Sequence, residues 1–175
     1  MYPKAYIDYL VYFHTTRDYF ECHEVLEEHW KMEPIGKRQT YWVGLIQLAV
    51  GLYHHRRGNT SGAIKMYKGA SSIIKKQTNS LTKLGLLVPT LLNQINEQQE
   101  KIKTGDPTFC NLNLPLSEEV LLACKKRCLE LSINWKLLDS EVDPFLIHKH
   151  TWRDRRDVIV EREKQLVLRQ NQREE

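Results

Sequence analysis

The sequence has no apolar run approaching the roughly 18 residues that a membrane helix needs, which excludes a helical membrane span. Its four cysteines, Cys22, Cys110, Cys124 and Cys128, form no CxxC pair, so the commonest zinc and dithiol spacings are missing too. There is no glycine-rich phosphate loop and no GxSxG elbow, which removes the usual signatures of nucleotide hydrolysis and of serine hydrolases. The N-terminal MYPKAYIDYL lacks a charged head followed by an apolar stretch and carries Asp8. It does not read as a secretion signal, and the expected location is the cytoplasm. There the cysteines are expected to stay reduced and to behave as small apolar residues.

What remains is the composition of a water-soluble globule of ordinary size, with 41% hydrophobic and 27% charged residues in 175. Net charge is +4, mildly basic, which does not by itself imply nucleic acid. The charge is uneven. Residues 1–105 hold 14 basic and 9 acidic groups, whereas residues 106–175 hold 12 and 13. The second half is therefore dense in charge yet balanced, as in a solvated helix.

Apolar residues recur at helical spacing between punctuating glycines and prolines, so the fold class is all-α, an antiparallel helical bundle. The spacing predicts a short helix from Pro3 to about His14. A second, capped near Thr15, Thr16 or Asp18, runs to about Met32 and stops before Pro34. The third, Gln39–Arg57, carries Trp42, Leu45, Leu48, Ala49 and Leu52 on one stripe, with Gly58 as its C-cap. Asn59 or Thr60 caps the fourth, which runs to about Thr78 through Ile64, Tyr67, Ser71 and Ile74. A loop with Gly85 follows, then a fifth helix opened by Pro89 with Leu92, Ile95, Gln99 and Ile102 inward. Gly51, Gly58, Ala63, Tyr67 and Ala70 fall at tetratricopeptide-like offsets. The rhythm occurs only once, so it marks a close helix pair rather than a solenoid.

Residues 104–116 hold two prolines and a glycine and read as a linker or a strap over the bundle. Ser117 opens a helix to about Leu131, the stretch 132–150 is irregular, and 151–172 is a polar helix. The expected organisation is a bundle domain at 1–105 and a linker with a charged helical extension at 106–175.

The chemically suggestive segment is YFECHEVLEEHW, residues 19–30. Residues three and four apart share a helix face, so His23 neighbours Glu27, and Glu27 neighbours Glu24 and Trp30. His23 is expected to point inward. Gln47, Gly51 and His54 line up at i, i+4, i+7 on the third helix, where Gly51 would leave room. An antiparallel pairing would bring His23, Glu24, Glu27, Trp30, Gln47 and His54 to one polar groove, with Arg57 at its rim. HEVLE differs from the zinc signature HExxH by a glutamate in place of the second histidine. If a divalent metal binds, His23, Glu27 and His54 are the candidate ligands and Glu24 the base of a hydrolase. The alternatives are a ligand pocket without chemistry and a polar network that fixes helix register. No catalytic residue is assigned, no cofactor is expected, and a divalent metal is the one addition the pattern allows.

A third reading is an RNA or anionic-ligand site built from Arg56, Arg57 and the 148–156 run with His148, His150, Arg153, Arg155 and Arg156. Asp154 and Asp157 neutralise that run, which disfavours nucleic acid without excluding it. The partner expected is another protein or a second copy of the chain, and not a membrane.

FECHEVLEEHW followed by GLIQLAVGLYHHRRGNTSGA resembles the helical proteins of domain-of-unknown-function family 309. The matching positions are Phe20, His23, Glu24, Glu27, Trp30, Gln47, His54, Gly58, Asn59, Gly62 and Ala63. The likeness covers roughly residues 10–75. NLNLPL and LIHKHTWRDRRDVI resemble an extension of the longer, Bacillus-like members. The resemblance implies a small helical bundle of bacterial or chloroplast origin and assigns no activity, so the leading expectation is a non-enzymatic binding or scaffold protein.

Overall fold

The computed structural model describes residues 2–135 and 146–147. Most of the stretch expected to be irregular at 132–150, and all of the helix expected at 151–172, lie outside the described residues. His148, His150, Arg153, Arg155 and Arg156 lie there too. Among the described residues the fold is all-α. Seven helices follow in order: α1 Lys4–Val11, α2 Tyr19–Met32, α3 Thr40–Arg56, α4 Thr60–Lys76, α5 Thr78–Lys83, α6 Val88–Lys103 and α7 Glu118–Glu130. One isolated antiparallel bridge joins Leu86 to Leu116.

Helix α1 starts on the carbonyl of Pro3, which accepts from the backbone N–H groups of Tyr6 and Ile7. It does not end in a simple turn. The chain widens into a π-helical turn at Tyr12–Thr16 and then enters the left-handed region at Arg17, φ 54°. The Thr15 and Thr16 hydroxyls donate to the carbonyls of Val11 and Tyr12 at 2.7 and 3.1 Å. These side chains compete for backbone acceptors and loosen the helical ladder. Asp18 then caps α2, accepting from the Glu21 N–H at 3.0 Å.

The α2–α3 and α3–α4 pairs are antiparallel. Across the first, His29 meets Trp42 and Phe20 meets Tyr53, with ring centroids 5.3 and 5.8 Å apart. Across the second, a Cβ on Gly44 would touch Ile73, and one on Gly51 would lie 2.7 Å from the Tyr67 ring. The tetratricopeptide-like rhythm is thus a device for close approach within one hairpin. Gly58, at φ +74°, turns the chain between the two helices, and Asn59 caps α4 by accepting from Gly62 N–H at 3.0 Å.

The core gathers Tyr6, Tyr9, Leu10, Phe13, Tyr19, Leu26, Leu45, Leu48, Leu52 and Tyr67, all fully buried. Buried tyrosines need partners for their hydroxyls. Tyr9 donates to Leu45 O at 3.1 Å and Tyr6 to Leu84 O at 3.0 Å.

Residues 106–117 run along this bundle under several latches. His55 Nε2 lies 3.1 Å from Pro107 O, and Tyr19 donates to Asn111 Oδ1 at 3.0 Å. Arg17 donates to Leu112 O, and Gln94 Nε2 donates to Asn113 O at 3.1 Å. Leu112 and Leu114 are buried beneath. Helix α7 then packs on α1, where Arg127 Nε donates to Asp8 Oδ1 at 2.5 Å. Cys124 and Cys128 face this contact from the buried side of α7, and Cys22 is buried in the bundle. Cys110 is exposed, which corrects the expectation that all four thiols behave as small apolar residues: its Sγ lies 4.0 Å from Lys101 Nζ.

Candidate functional site

Helix α2 buries Tyr19, Cys22 and Leu26 and turns its glutamates outward. A period of 3.6 with apolar residues at 19, 22 and 26 leaves 24, 27, 28 and 31 on the opposite side. His23 lies on the border between the two faces. Its side chain is 25% exposed, so it is not directed into the core as expected. Nδ1 of His23 is 3.1 Å from Glu24 Oε1, and Nε2 is 3.5 Å from Glu27 Oε2. Glu27 also pairs with Lys31 at 3.2 Å. One ligand-type atom from each of His23, Glu24 and Glu27 falls within 4.8 Å of the others.

The structure does not gather the α3 residues around this trio. Gln47 abuts Gly69 of α4, and its buried Oε1 has no hydrogen-bond partner among the described residues. The space beside Gly51 is filled by the Tyr67 ring. The line 47–51 therefore serves the α3–α4 contact, because both positions face α4. His54 Nδ1 lies 3.1 Å from Asn59 Nδ2, which makes the imidazole an acceptor. Burial, and then the nearby Arg57 charge, hold its pKa below the ordinary value. Arg57 stacks on the Tyr53 ring, 5.4 Å from the centroid. Trp30 is half-buried, with the Arg38 guanidinium 4.6 Å over its ring.

Cys22 and His55 are sealed within the fold. The Cys22 thiol is pushed well up by burial, with Asp18 and Glu21 adding to the shift. The carbonyl of Pro107 can only accept, so His55 Nε2 carries the proton and Nδ1 accepts from the Tyr67 hydroxyl 3.3 Å away. Arg56 is likewise engaged. It donates to Arg17 O and to Leu146 O and lies 4.8 Å over the Tyr19 ring.

The motif does not foretell the surface next to the trio. A concavity of about 530 Å³ is lined by Glu24, Glu27, Glu28, Lys31 and Met32. A second, of about 370 Å³, shares Glu28 and Met32 and extends to Lys4, Asp8 and His29. Met32 is 73% exposed and Ile35 84%. The signal that could reveal this surface is an apolar residue at the end of an acidic helix, just ahead of Pro34.

Residues 6–66 match the profile of the family described as Domain of unknown function (DUF309). The chain is 47% identical over 175 residues to "Uncharacterized protein YpuF" of Bacillus subtilis (strain 168), covering 99% of this chain and 100% of that protein. No solved structure matches the chain. No helix among the described residues is long and apolar enough to cross a membrane.

Proposed function

The chain belongs to the DUF309 family, and from that premise we propose a non-enzymatic binding or scaffold protein that meets its partner through the outer side of α2. The observation that carries the reading is the pair of open concavities around Met32, walled by Glu24, Glu27 and Glu28. An apolar side chain 73% exposed among three carboxylates suits a protein partner that brings an apolar anchor flanked by basic groups. His23 and Trp30 brace this surface by engaging Glu27 and Arg38. The reading places the protein in the cytoplasm, which four free cysteines, one of them exposed, support.

A photo-crosslinking residue at position 28, compared with one at Glu97 on α6, tests it in living cells. A discrete adduct at 28 that disappears with Met32→Asp is expected. Equal labelling at the two positions would overturn the proposal.

A second reading is favoured by the convergence of His23, Glu24 and Glu27: a divalent cation held by one imidazole and two carboxylates. In that reading Glu24 is a ligand rather than a base, and His54 is left out of the ligand set because it is bonded to Asn59. Calorimetric titration with zinc or manganese decides it. One saturable site lost in His23→Ala supports the metal, and identical heats in both proteins remove it.

A further inference from the structure

Between Glu33 and Glu97 the chain carries nine basic residues and no acidic one. The stretch spans α3, α4 and α5 and the start of α6. Its arginines at 56 and 57 are spent inside the fold, stacked on Tyr19 and Tyr53. Its lysines on α4 are not. Helix α4 buries Ala63, Tyr67, Ala70 and Ile74 and leaves Ser61, Lys65, Lys68, Ser72, Lys75 and Lys76 exposed on the other side. The first five of these fall at i, i+4, i+7, i+11 and i+14, a single face.

Elsewhere the fold pairs several lysines locally. Lys4 meets Asp8, Lys31 meets Glu27 and Lys103 meets Glu100. The α4 lysines form no ion pair among the described residues. Four cations along one helix face repel one another, and no side chain in α3, α4 or α5 offsets them.

From this we infer that the outer face of α4 binds the phosphodiester backbone of nucleic acid, without reading bases. Lys65 to Lys76 spans on the order of 16 Å of helix. A duplex presents a phosphate charge about every 1.7 Å of its axis, so several lie within reach of such a row. The other exposed residues in line with the lysines are serines, whose hydroxyls donate to phosphate oxygens. Among the described residues, the large hydrophobic ones that are exposed are Met32, Ile35, Leu87, Leu122 and Leu129, and none lies on α4. The face therefore lacks the apolar side chains that an anionic lipid surface takes up. This surface is separate from the acidic α2 face proposed above.

Fluorescence anisotropy of the full chain with a labelled oligouridylate and a labelled RNA duplex tests the inference. Affinity is expected to fall steeply with salt, roughly fifty-fold between about 50 and 200 mM for a single strand held by four lysines. K65Q/K68Q/K75Q/K76Q is expected to lose most of the binding and most of the salt slope. K125Q/K126Q on α7, where Glu118, Glu119 and Glu130 lie on the same helix, should keep both. All four substitutions lie on exposed positions, and a thermal melt confirms that the variant folds. Unchanged affinity in the quadruple variant would overturn the inference. So would binding to phosphatidylserine vesicles, or self-association that depends on the four lysines, in the absence of RNA binding.

Discussion

Arg17 donates from Nη1 to the carbonyl of Leu112, 3.0 Å away and 95 positions later in the chain. The same guanidinium reaches Phe13 O at 3.1 Å and Asn113 Oδ1 at 2.6 Å, and the residue is fully buried. One side chain thus ties the π-helical turn that ends α1 to the strap that crosses the bundle. A guanidinium suits this role because its donors point in fixed, divergent directions.

Arg17→Met keeps the stem and removes the donors. Buried carbonyls then lose a charged partner, so the variant is expected to lose about 2–4 kcal/mol in urea unfolding. Limited proteolysis should cut first within 106–117, because the strap loses its central latch. Arg17→Lys should rescue little, since one ammonium cannot span the three acceptors. Full stability in Arg17→Met would mean that the strap is held by its other contacts alone.

Gly51→Ala is expected to destabilise by about 1–3 kcal/mol. The new methyl would lie 2.7 Å from Tyr67 Cδ1 and 2.8 Å from Cε1. Tyr67 cannot swing away cheaply, because it is fully buried and its hydroxyl meets His55. Gly36→Ala is the control. A methyl at that position would have nothing within 4 Å, so the loss of unfolded-state freedom should leave stability unchanged or raise it by up to about 1 kcal/mol. Thermal melts of the two variants should therefore diverge, with Gly51→Ala well below wild type and Gly36→Ala level with it or above.

Helices with strong period and clear caps are legible in the sequence. The spacing predicts Gln39–Arg57 and the helix found is Thr40–Arg56, and the caps at Asp18 and Asn59 are where their side-chain oxygens place them. Pro89 sits in the first turn of α6 as expected. Face assignment is weaker where small residues compete with large ones. On α4 the buried positions are Ala63 and Ala70 rather than Ile64 and Ser71, because only alanine permits the close approach of α3. The short α5 at Thr78–Lys83 carries no legible signal, since the polar residues around Leu81 show no period. Nor is the π-helical turn legible, because Thr15 and Thr16 signal competition with the backbone but not its outcome. In the candidate site, contacts within α2 are legible because i, i+4 geometry is fixed by the helix. The expected meeting of α2 with Gln47 fails, because α4 claims the face of α3 that carries Gln47 and Gly51, and the pairing of α2 with α3 does not fix which face a third helix takes.

Acid should weaken the fold through His14. The residue is 2% exposed, its ring lies 5.2 Å from the Trp135 ring, and neither nitrogen has a hydrogen bond among the described residues. Burial, and then the Arg17 charge, lower its pKa to about 3. Between that value and about 6.5 the unfolded chain binds a proton that the native state refuses, so stability falls as pH drops through this window. The slope from this group is up to about 1.4 kcal/mol per pH unit. His54 and His55 are also lowered and add to the same trend. Urea midpoints of His14→Phe measured from pH 4 to 8 should show a shallower slope than wild type, with the difference between the two proteins constant above pH 7. Parallel curves throughout would show that His14 does not bear the burden.

Helix α7 should depend on Asp8. Arg127 Nε donates to its Oδ1 at 2.5 Å, and the two side chains are only 17% and 11% exposed. The pair also raises the Arg127 pKa, chiefly through hydrogen bonds to Asp8 and Glu130. Charge-assisted bonds in so sheltered a place are screened weakly by salt. Asp8→Asn and Arg127→Met are each expected to cost about 1–3 kcal/mol. The double variant should cost less than the sum, because each single change already removes the contact and strands its partner. Lys4 and Glu130 soften the stranding, since each keeps one member of the pair engaged. Backbone hydrogen exchange over 118–130 should rise in both single variants while α3 stays protected, since α3 does not lean on this contact. Strict additivity in the cycle would show that α7 is held to α1 by buried residues such as Cys124 and Cys128 rather than by this ion pair.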